Sequence, residues 1–396
     1  MPSTTMLPNR VLSNRVLSNR VVLALALAAF GCVWLLNLGV VQPNRIVTGT
    51  GYGLYAATGW LGAGIVSSLL LVVVVLATRP VHKRYEVLAA LLTVALMTLP
   101  LLLEVFALHK LPADSAYARI GIGAGFWCLA FFLALILLET LGQLRASRRF
   151  QLSTVLLIVA GWWLCASREG LSSLSLIREY TNRADQFAQA LAVHLSLSLG
   201  AVAISAVLAF ALALAMVRRE RMRRPLLGLV SFMQTIPSLA LFGLLIAPLG
   251  ALSAAFPFLQ ALGIRGIGWA PALLALIAYS LLPMVRNTYV ALIEVPESVV
   301  DAGRGMGMSE RQIFMQVKLP LALPVIIEGV RITTIQAIGL TAVAALIGAG
   351  GFGTFIFQGL GQAAMDLVLL GALPTVFLAL AADAILSALK FKEASR

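Results

Sequence analysis

Apolar residues recur in runs of about 20 along most of the chain, the length of helix that crosses roughly 30 Å of hydrocarbon. Short polar stretches separate these runs. Hydrocarbon excludes any spanning segment other than a helix or a closed barrel, so the pattern predicts an all-α integral membrane protein. The ten predicted spans are residues 21–41, 57–78, 86–107, 119–141, 151–167, 188–217, 226–249, 269–285, 325–347 and 368–389.

A polar stretch between the eighth and ninth spans, "DAGRGMGMSERQIFMQVKLP" at 301–320, is punctuated by glycine. Pro296 suits the first turn of a helix, and Gly307 suits the left-handed residue that ends one. The residues between them form an apolar stripe at helical spacing. This stripe consists of Val299, Val300, Ala302 and Met306.

A second short helix is predicted directly after Gly307. Ser309 with Gln312 three residues later matches a capping box, and Pro320 and Pro324 are predicted to end the helix. Its apolar face consists of Ile313, Phe314 and Val317. The stretch is therefore predicted to be a helical hairpin outside the membrane, whose apolar residues pack either in a partner's groove or on the chain's own helix ends.

Composition supports the prediction of a membrane protein, and the charge distribution predicts its orientation in the membrane. Of the 396 residues 60% are hydrophobic and 11% charged, and the mean hydropathy is +0.97. These values exclude an ordinary soluble domain. The net charge of +13 would suit a nucleic-acid partner, but a basic surplus in a membrane protein marks its cytoplasmic loops instead.

Loop counting gives the predicted topology. With ten spans, 21 of the 29 Lys and Arg residues fall on one side, and Arg331 lies within the ninth span. Both termini and the hairpin are therefore predicted to be cytoplasmic, and no nucleic-acid partner is predicted. The basic residues on the other side are Arg45, Lys110, Arg119, Arg168, Arg178, Arg183 and Arg265.

The composition changes near residue 188, after the polar stretch "REGLSSLSLIREYTNRADQF". Loops after this point are dense in Gly, Pro, Gln and Arg, the kind of loops in which function usually resides. The N-terminal "NRVLSNRVLSNRV" matches neither helical nor strand periodicity. The predicted regions are a flexible basic tail at 1–20, an accessory five-helix region at 21–187, a functional half at 188–389 and a tail at 390–396.

Prolines and glycines mark a possible pathway in the second half. Pro237 and Pro283 each remove a backbone hydrogen bond inside a span, which suits either a gate or a static kink. The sequence "IGAGGFG" at 347–353 spells a dinucleotide fingerprint but lacks the preceding strand, so a turn near the translocation mouth is predicted instead. The predicted gate or pathway residues are Gln234, Thr235, Pro237, Ser238, Pro283, Gly350 and Gly351.

The ionisable and aromatic residues inside the spans allow more than one functional interpretation. Glu104, Glu139 and Asp383 suit either a proton relay or capping at helix ends, whereas Glu328 and Arg331 are spaced to pair on one helical face. His194 is predicted to be packed and hydrogen-bonded. Aromatic residues in the second half suit either a cation path or interfacial anchors. They are Phe232, Phe242, Trp269 and Tyr279.

The hairpin resembles the cytoplasmic loop of ABC importer permeases. In that family the loop has the sequence pattern E-A-A, three residues, G, nine residues, I, one residue and L-P. This chain has the same spacing, with mild departures at the Glu, the second Ala and the Ile. The matching positions, together with Met308 beside the turn, are Asp301, Ala302, Gly303, Gly307, Val317, Leu319 and Pro320.

Three further stretches narrow the resemblance. "QTIPSLALFGLL" at 234–245, "LLPMVRNTY" at 281–289 and "IGAGGFG" look like those of permeases for glycine betaine, choline and related osmoprotectants. The resemblance implies that the last five helices form a type I ABC importer permease core. It also implies that the loop at 286–324 couples this core to an ATPase.

The resemblance implies partners and a location as well. The partners would be ATP-binding ATPase subunits, a second permease that is identical or a paralogue, an extracytoplasmic binding protein and the lipid of a bacterial inner membrane. No Lys follows a Gly in this chain, so the P-loop that cradles ATP is absent from the sequence. ATP–Mg is therefore expected on the ATPase, with no cofactor, no metal and no enzymatic chemistry in the chain itself.

Three alternatives remain open on the sequence. An ABC permease for another small solute, such as an amino acid or a sulfonate, would carry a similar loop. An ion-coupled secondary transporter would require Glu104, Glu139 or Asp383. A membrane-embedded enzyme is disfavoured because no Ser/His/Asp or metal-ligating constellation converges on one face.

Overall fold

The computed structural model describes residues 19–44, 47–79, 83–111 and 117–393. Residues 1–18 of the predicted basic tail and residues 394–396 of the predicted C-terminal tail lie outside the described residues. The chain divides into two compact units, Met1–Thr181 and Asn182–Arg396. Each unit has its own core.

The described residues of the first unit form six longer helices, a short helix and three strands. Its helices are α1 (Arg20–Leu35), α2 (Leu54–Thr78), α3 (Arg84–Thr98), α4 (Leu101–Lys110), α5 (Ala124–Gln143), α6 (Arg148–Ala166) and α7 (Ser175–Asn182). Fully buried side chains such as Leu92, Phe106, Phe126 and Leu133 fill the space between the helices. This apolar interior explains why the unit is compact although many apolar residues are also exposed on its surface.

The strands correct two predicted spans. β1 (Asn37–Gln42) pairs antiparallel with both β2 (Thr50–Gly53) and β3 (Arg119–Ile122). The first span therefore ends at Leu35 and not at residue 41, and the fourth begins at Ala124 and not at residue 119. Hydropathy could not separate these segments from the helices, because a short apolar run reads the same in a buried strand and in a helix.

All the regular secondary structure among the described residues of the second unit is helical. Its helices are α8 (Ala184–Arg218), α9 (Arg223–Thr235), α10 (Ser238–Ala255), α11 (Pro257–Ala261), α12 (Trp269–Ile293), α13 (Glu297–Gly305), α14 (Glu310–Gln312), α15 (Leu319–Ala344), α16 (Gly353–Gly361) and α17 (Met365–Glu393). Helices α8, α12 and α15 pack together at its centre. Small buried residues, among them Ala201, Ala209, Ala272 and Ala275, allow this close approach, as is usual for helices in membranes.

Eight described helices are long and apolar enough to cross a membrane, and the pair α3 and α4, bent by 41°, makes a ninth. The shorter apolar helix α1, of 16 residues, corresponds to the remaining predicted span. The chain is thus a multi-pass helical membrane protein, as predicted.

The seventh, eighth and tenth spans, all in the second unit, differ from their predicted bounds. The seventh span, predicted at 226–249, is broken between Thr235 and Ser238, and only α10 of the two pieces is long enough to cross. The eighth continues to Ile293, well past residue 285, and α17 continues to Glu393, into the predicted tail. Helices α12 and α17 are longer than predicted because hydrogen bonding along a helix backbone does not stop where hydropathy falls.

Candidate functional site

The stretch that resembles a coupling loop folds as a hairpin of α13 and the helix that begins at Glu310. Gly307 has φ +80°, as predicted for the residue that ends α13. The N–H of Met308 donates to the carbonyl of Gly303 at 3.1 Å, and the N–H of Gly307 donates to that of Arg304 at 2.9 Å. This pair of bonds is the Schellman ending of a helix, which requires the left-handed residue.

The second arm begins with the predicted capping box. The Ser309 backbone N–H donates to Oε1 of Gln312 at 2.8 Å, and the Gln312 N–H donates to Oγ of Ser309 at 3.3 Å. The two caps are separated only by Met308. The turn of the hairpin is therefore defined on both sides by its own sequence.

Arg304 connects the two arms electrostatically. Its Nη1 donates to Oδ1 of Asp301 at 3.0 Å, and its Nε donates to Oε1 of Glu310 at 3.2 Å across the turn. These contacts, first with Glu310 and then with Asp301, raise the pKa of Arg304 above its ordinary value. Asp301 thus has a partner inside the hairpin, which the sequence alone did not indicate.

Some apolar residues of the hairpin are buried by the chain itself. Val300 and Ile313 are buried, and a side chain added at Gly303 would meet Met308 and Ile313 at 3.4–3.5 Å. Phe314 packs against Leu292 at the end of α12. Much of the predicted apolar face of the second arm is therefore used internally, in agreement with the second of the two alternatives.

Other apolar residues of the hairpin face outward. Val299 is 40% exposed, Met306 76% and Met315 54%, and Ala302 is also exposed. Three of these four belong to the predicted stripe of the first arm. The hairpin therefore presents an uncovered apolar surface on α13 while its other arm packs on the chain.

The second arm does not end at Pro320 and Pro324, which corrects the prediction. A π-helical segment, Ile313–Lys318, joins α14 to α15, and the helix runs on to Ile347. The wider π turn precedes Pro320, which lies in the first turn of α15 where a missing N–H is tolerated. Val317 and Leu319 are half-buried along this segment, and Pro320 is exposed.

The two prolines predicted at a gate are connected through Tyr279. Pro283 lies inside α12 and has no N–H for the carbonyl four residues earlier, which belongs to Tyr279. The side-chain amide of Gln234 donates to this carbonyl at 2.9 Å. The orphaned acceptor in α12 is therefore satisfied from the end of α9.

The same tyrosine also serves the break beside Pro237. Ile236 is extended and separates α9 from α10, and its carbonyl accepts a hydrogen bond from the Tyr279 hydroxyl. Thr235 donates only to the carbonyl of Phe232 in its own helix, at 2.7 Å, and Ser238 begins α10. Gln234 and Tyr279 thus join the break to the kink, while Thr235 has a local role.

The "IGAGGFG" stretch forms a turn after α15, and a 3₁₀ turn rather than a strand precedes it. Gly348, Gly350 and Gly351 all have positive φ. A side chain at Gly351 would lie 3.2 Å from Nδ1 of His194. The dinucleotide interpretation fails because its strand is missing, and the glycines instead allow a tight turn against α8.

His194 is fully buried, as predicted for a packed residue. Its Nε2 lies 3.0 Å from the carbonyl of Ile338, and its Nδ1 accepts from the N–H of Phe352 at 3.4 Å. One ring nitrogen therefore donates and the other accepts, which corresponds to the neutral ring. The histidine holds the glycine turn on α8 and α15.

The ionisable residues in the spans have partners. Arg331 binds Glu328 at 3.1 Å, as predicted, and also binds Asp383 on α17 at 2.6 Å. Glu104 lies 3.6 Å from Arg168, and Glu139 accepts hydrogen bonds from Asn19 and Gln143. Among the described residues no group of three His, Cys, Asp or Glu side chains is arranged for a metal ion.

Two known families match parts of this chain. Residues 196–393 match the family of the binding-protein-dependent transport system inner membrane component. The chain belongs to this permease family. Residues 14–177 match a second family, described as the ABC transporter permease YehY, N-terminal domain.

Named relatives match a little under half of this permease. It is 41% identical over 175 residues to the osmoprotectant import permease protein OsmW of Salmonella typhimurium, covering 44% of this chain and 76% of the relative. It is 37% identical to the carnitine transport permease protein OpuCB of Listeria monocytogenes, covering 45% and 74%. The choline transport system permease protein OpuBB of Bacillus subtilis is 36% identical, covering 43% and 72%.

The predicted site residues all fall within the matched region of this permease. The hairpin, the α9–α10 break, the α12 kink and the glycine turn lie between residues 196 and 393. Sequence reasoning missed Arg304 and Asp383 as partners and Tyr279 as the link between the prolines. For Tyr279 a signal existed, because it lies four residues before Pro283 and its carbonyl must find another donor.

Proposed function

We propose that this chain is the transmembrane subunit of an ATP-driven importer for a quaternary-amine osmoprotectant such as glycine betaine. It would lie in a bacterial inner membrane with both termini in the cytoplasm. It would work with a second permease, two ATPase subunits and an extracytoplasmic binding protein. The covalent chemistry, the hydrolysis of ATP, would take place on the ATPase subunits.

The observation that carries the proposal is the outward apolar surface of α13. Val299, Ala302 and Met306 are exposed on a hairpin whose turn is rigidly capped and whose other arm is built into the helix of the ninth span. A rigid projection with an uncovered apolar face suits insertion into a partner's groove. Movement of an ATPase that holds α13 would be transmitted directly along the helix Glu310–Ile347.

The break between α9 and α10 is the proposed gate. Gln234, Thr235, Pro237 and Ser238 lie at the break, and Pro283 lies in the facing helix. Interrupted helices in transporters commonly line the substrate path, because their free backbone groups are tolerated only in protein or in a water-filled cavity. Gly350 and Gly351 would allow the turn after α15 to adjust as the gate opens.

The substrate proposal rests on the names of the relatives. They are named for osmoprotectant, carnitine and choline transport, and the identities of 36–41% extend over most of their lengths. Choline and carnitine share a trimethylammonium group with glycine betaine. A quaternary amine is therefore the substrate class proposed for this chain.

Purification and uptake test the proposal. The chain, isolated in a mild detergent, should bring an ATPase subunit with it. Met306→Asp should reduce the amount of bound ATPase, because it places a charge in the docking surface. Leu262→Asp is the matched control, since Leu262 is 62% exposed on the side predicted to face away from the cytoplasm.

The complete assembly, placed in liposomes that contain ATP, should take up labelled glycine betaine when the binding protein is added outside. Uptake that proceeds without ATP and follows an imposed ion gradient would contradict the proposal. If Met306→Asp retained the ATPase at the wild-type level, α13 would not be part of the contact with the ATPase.

A further inference from the structure

A cavity of about 580 Å³ lies in the second unit, in the size range of small-molecule sites. One wall is the outer part of α8, another is the loop before α12 with the first turns of that helix, and the third is the glycine turn at Gly348. Its lining includes Ser196, Gly200, Arg265, Trp269, Leu273 and Gly348.

The loop before α12 places two chemically distinct side chains at this cavity. The N–H of Gly268 donates to the carbonyl of Ile347 at 2.8 Å, which ties the start of α12 to the glycine turn. Gly263 leaves room for the indole, since a side chain there would lie 3.1 Å from Nε1 of Trp269. Trp269 lines the cavity, and the residue is 42% exposed.

Arg265 supplies the charge of the cavity. Within the part of the chain that the structure describes, Arg265 makes neither a hydrogen bond nor an ion pair, and no acidic residue lines the cavity. A guanidinium group offers parallel N–H donors that match a carboxylate. An aromatic face attracts a quaternary ammonium, which has no N–H to donate.

We propose that this cavity binds a zwitterion that carries a carboxylate at one end and a quaternary ammonium at the other, as glycine betaine and carnitine do. The carboxylate contacts Arg265 and the ammonium lies on Trp269. This inference rests on the proposed function and assigns a place to its substrate. By the distribution of basic residues the cavity opens on the extracytoplasmic side, where the substrate arrives.

The site is expected to be weak. It has one guanidinium and one half-exposed ring instead of an enclosing cage, and Gly200 and Gly348 contribute little more than backbone. A transport site must release what it binds, so modest affinity suits a position that the substrate occupies briefly. High selectivity would belong to the binding protein, and this cavity would favour zwitterions over cations.

Direct binding to the purified permease–ATPase complex, without the binding protein, tests the inference. Equilibrium dialysis would measure labelled glycine betaine and labelled choline, which lacks the carboxylate. We expect the wild-type complex to bind glycine betaine about tenfold more tightly than choline, the ratio expected for one charge-assisted contact. Arg265→Gln should abolish this preference, Arg265→Lys should retain part of it, and Trp269→Leu should weaken both ligands.

Matched controls are available in the same unit. Arg183→Gln removes an equal charge on the same predicted side, and Phe258→Leu removes an exposed ring, and neither residue lines the cavity. Both should leave binding unchanged. Assembly with the ATPase would show that each variant is folded.

The outcomes separate this inference from the proposed function. Absence of saturable binding, or an unchanged preference in Arg265→Gln, overturns the inference even when the complete assembly still imports glycine betaine. An unchanged preference in Arg265→Gln would also be expected if a lipid phosphate occupied Arg265. Failure of the complete wild-type assembly to import any quaternary amine overturns the proposed function and the inference together.

Discussion

At the scale of single residues, Gly307 determines the shape of the hairpin through its backbone. No atom lies within 4 Å of the position that a side chain would occupy, so space does not explain the glycine. Its φ of +80° does, because the left-handed region disfavours residues with a branched side chain. The Schellman bonds that end α13 depend on this torsion.

Gly307→Val should therefore impair transport while the protein still inserts. The left-handed conformation costs an L-residue about 1–2 kcal/mol, enough to change the population of the capped turn by about 5–30-fold. Uptake and ATPase binding in liposomes of equal protein content would measure the loss. Gly307→Asn should be much milder, because Asn tolerates this region of φ and ψ.

Gly305→Ala is the control for this pair. Gly305 is exposed, lies in the last turn of α13 and also has open space around it, but its φ is not positive. Uptake near the wild-type rate is expected. If Gly307→Val also transports normally at normal membrane levels, the turn does not govern coupling.

Substitution of Asp383 distinguishes ATP-driven transport from ion-coupled transport. It shares Arg331 with Glu328, so removal of its charge leaves Arg331 with a partner. Asp383→Asn should retain most ATP-dependent uptake, whereas Arg331→Gln should impair assembly because two carboxylates then lose their common cation. If Asp383 instead carried a proton, Asp383→Asn would lose uptake although the associated ATPase subunits still hydrolysed ATP.

At the scale of elements, the broken seventh span shows how two prolines act together. Pro283 frees a carbonyl in α12, Gln234 from α9 satisfies it, and the hydroxyl of the same Tyr279 satisfies Ile236 at the break. The kink and the break are thus joined by two hydrogen bonds. Any opening of α9 from α10 must be accompanied by a change at α12.

Removing either bond should destabilise this junction. Gln234→Leu and Tyr279→Phe each leave a carbonyl without its donor, at a cost of about 1–3 kcal/mol. The melting temperature in detergent should fall in both variants, and the effect of the double variant should be smaller than the sum because the two residues share one junction. Thr235→Val is the control, since its hydroxyl bonds only within α9.

An additive double variant would show that the two bonds act independently, and the junction would then not link the break to the kink. Unchanged melting in both single variants would mean that water satisfies the freed carbonyls. Transport rates in the same variants would show whether the junction opens during the cycle.

Elements with a strong local signal were predictable from the sequence, and those that depend on distant partners were not. Ser309, Gln312 and Gly307 specify their caps within a few residues, so the hairpin turn was predicted in detail. Strand β1 was hidden, because its pairing with β3 joins residues more than 75 positions apart. The π segment before Pro320 likewise depends on how the whole helix continues.

At the scale of the whole molecule, the distribution of basic residues predicts the orientation in the membrane. The predicted loops on one side hold 21 of the 29 Lys and Arg residues, and such loops remain in the cytoplasm. The predicted orientation would place the hairpin and the cavity at Arg265 on opposite sides of the membrane. The hairpin proposed to receive energy should therefore be accessible from the cytoplasm, and the cavity proposed to receive substrate should be accessible from the opposite side.

Single cysteines test this arrangement. In a chain without Cys32, Cys128 and Cys165, Met306→Cys and Phe258→Cys would present one thiol each at positions that are 76% and 62% exposed. A membrane-impermeant maleimide should label Phe258→Cys in intact spheroplasts, because it lies on the side with few basic residues. Met306→Cys should be labelled only in inverted vesicles, in a strain that lacks the ATPase subunits proposed to cover it. Labelling of both from the same side would refute the opposite placement of hairpin and cavity on which coupled import depends.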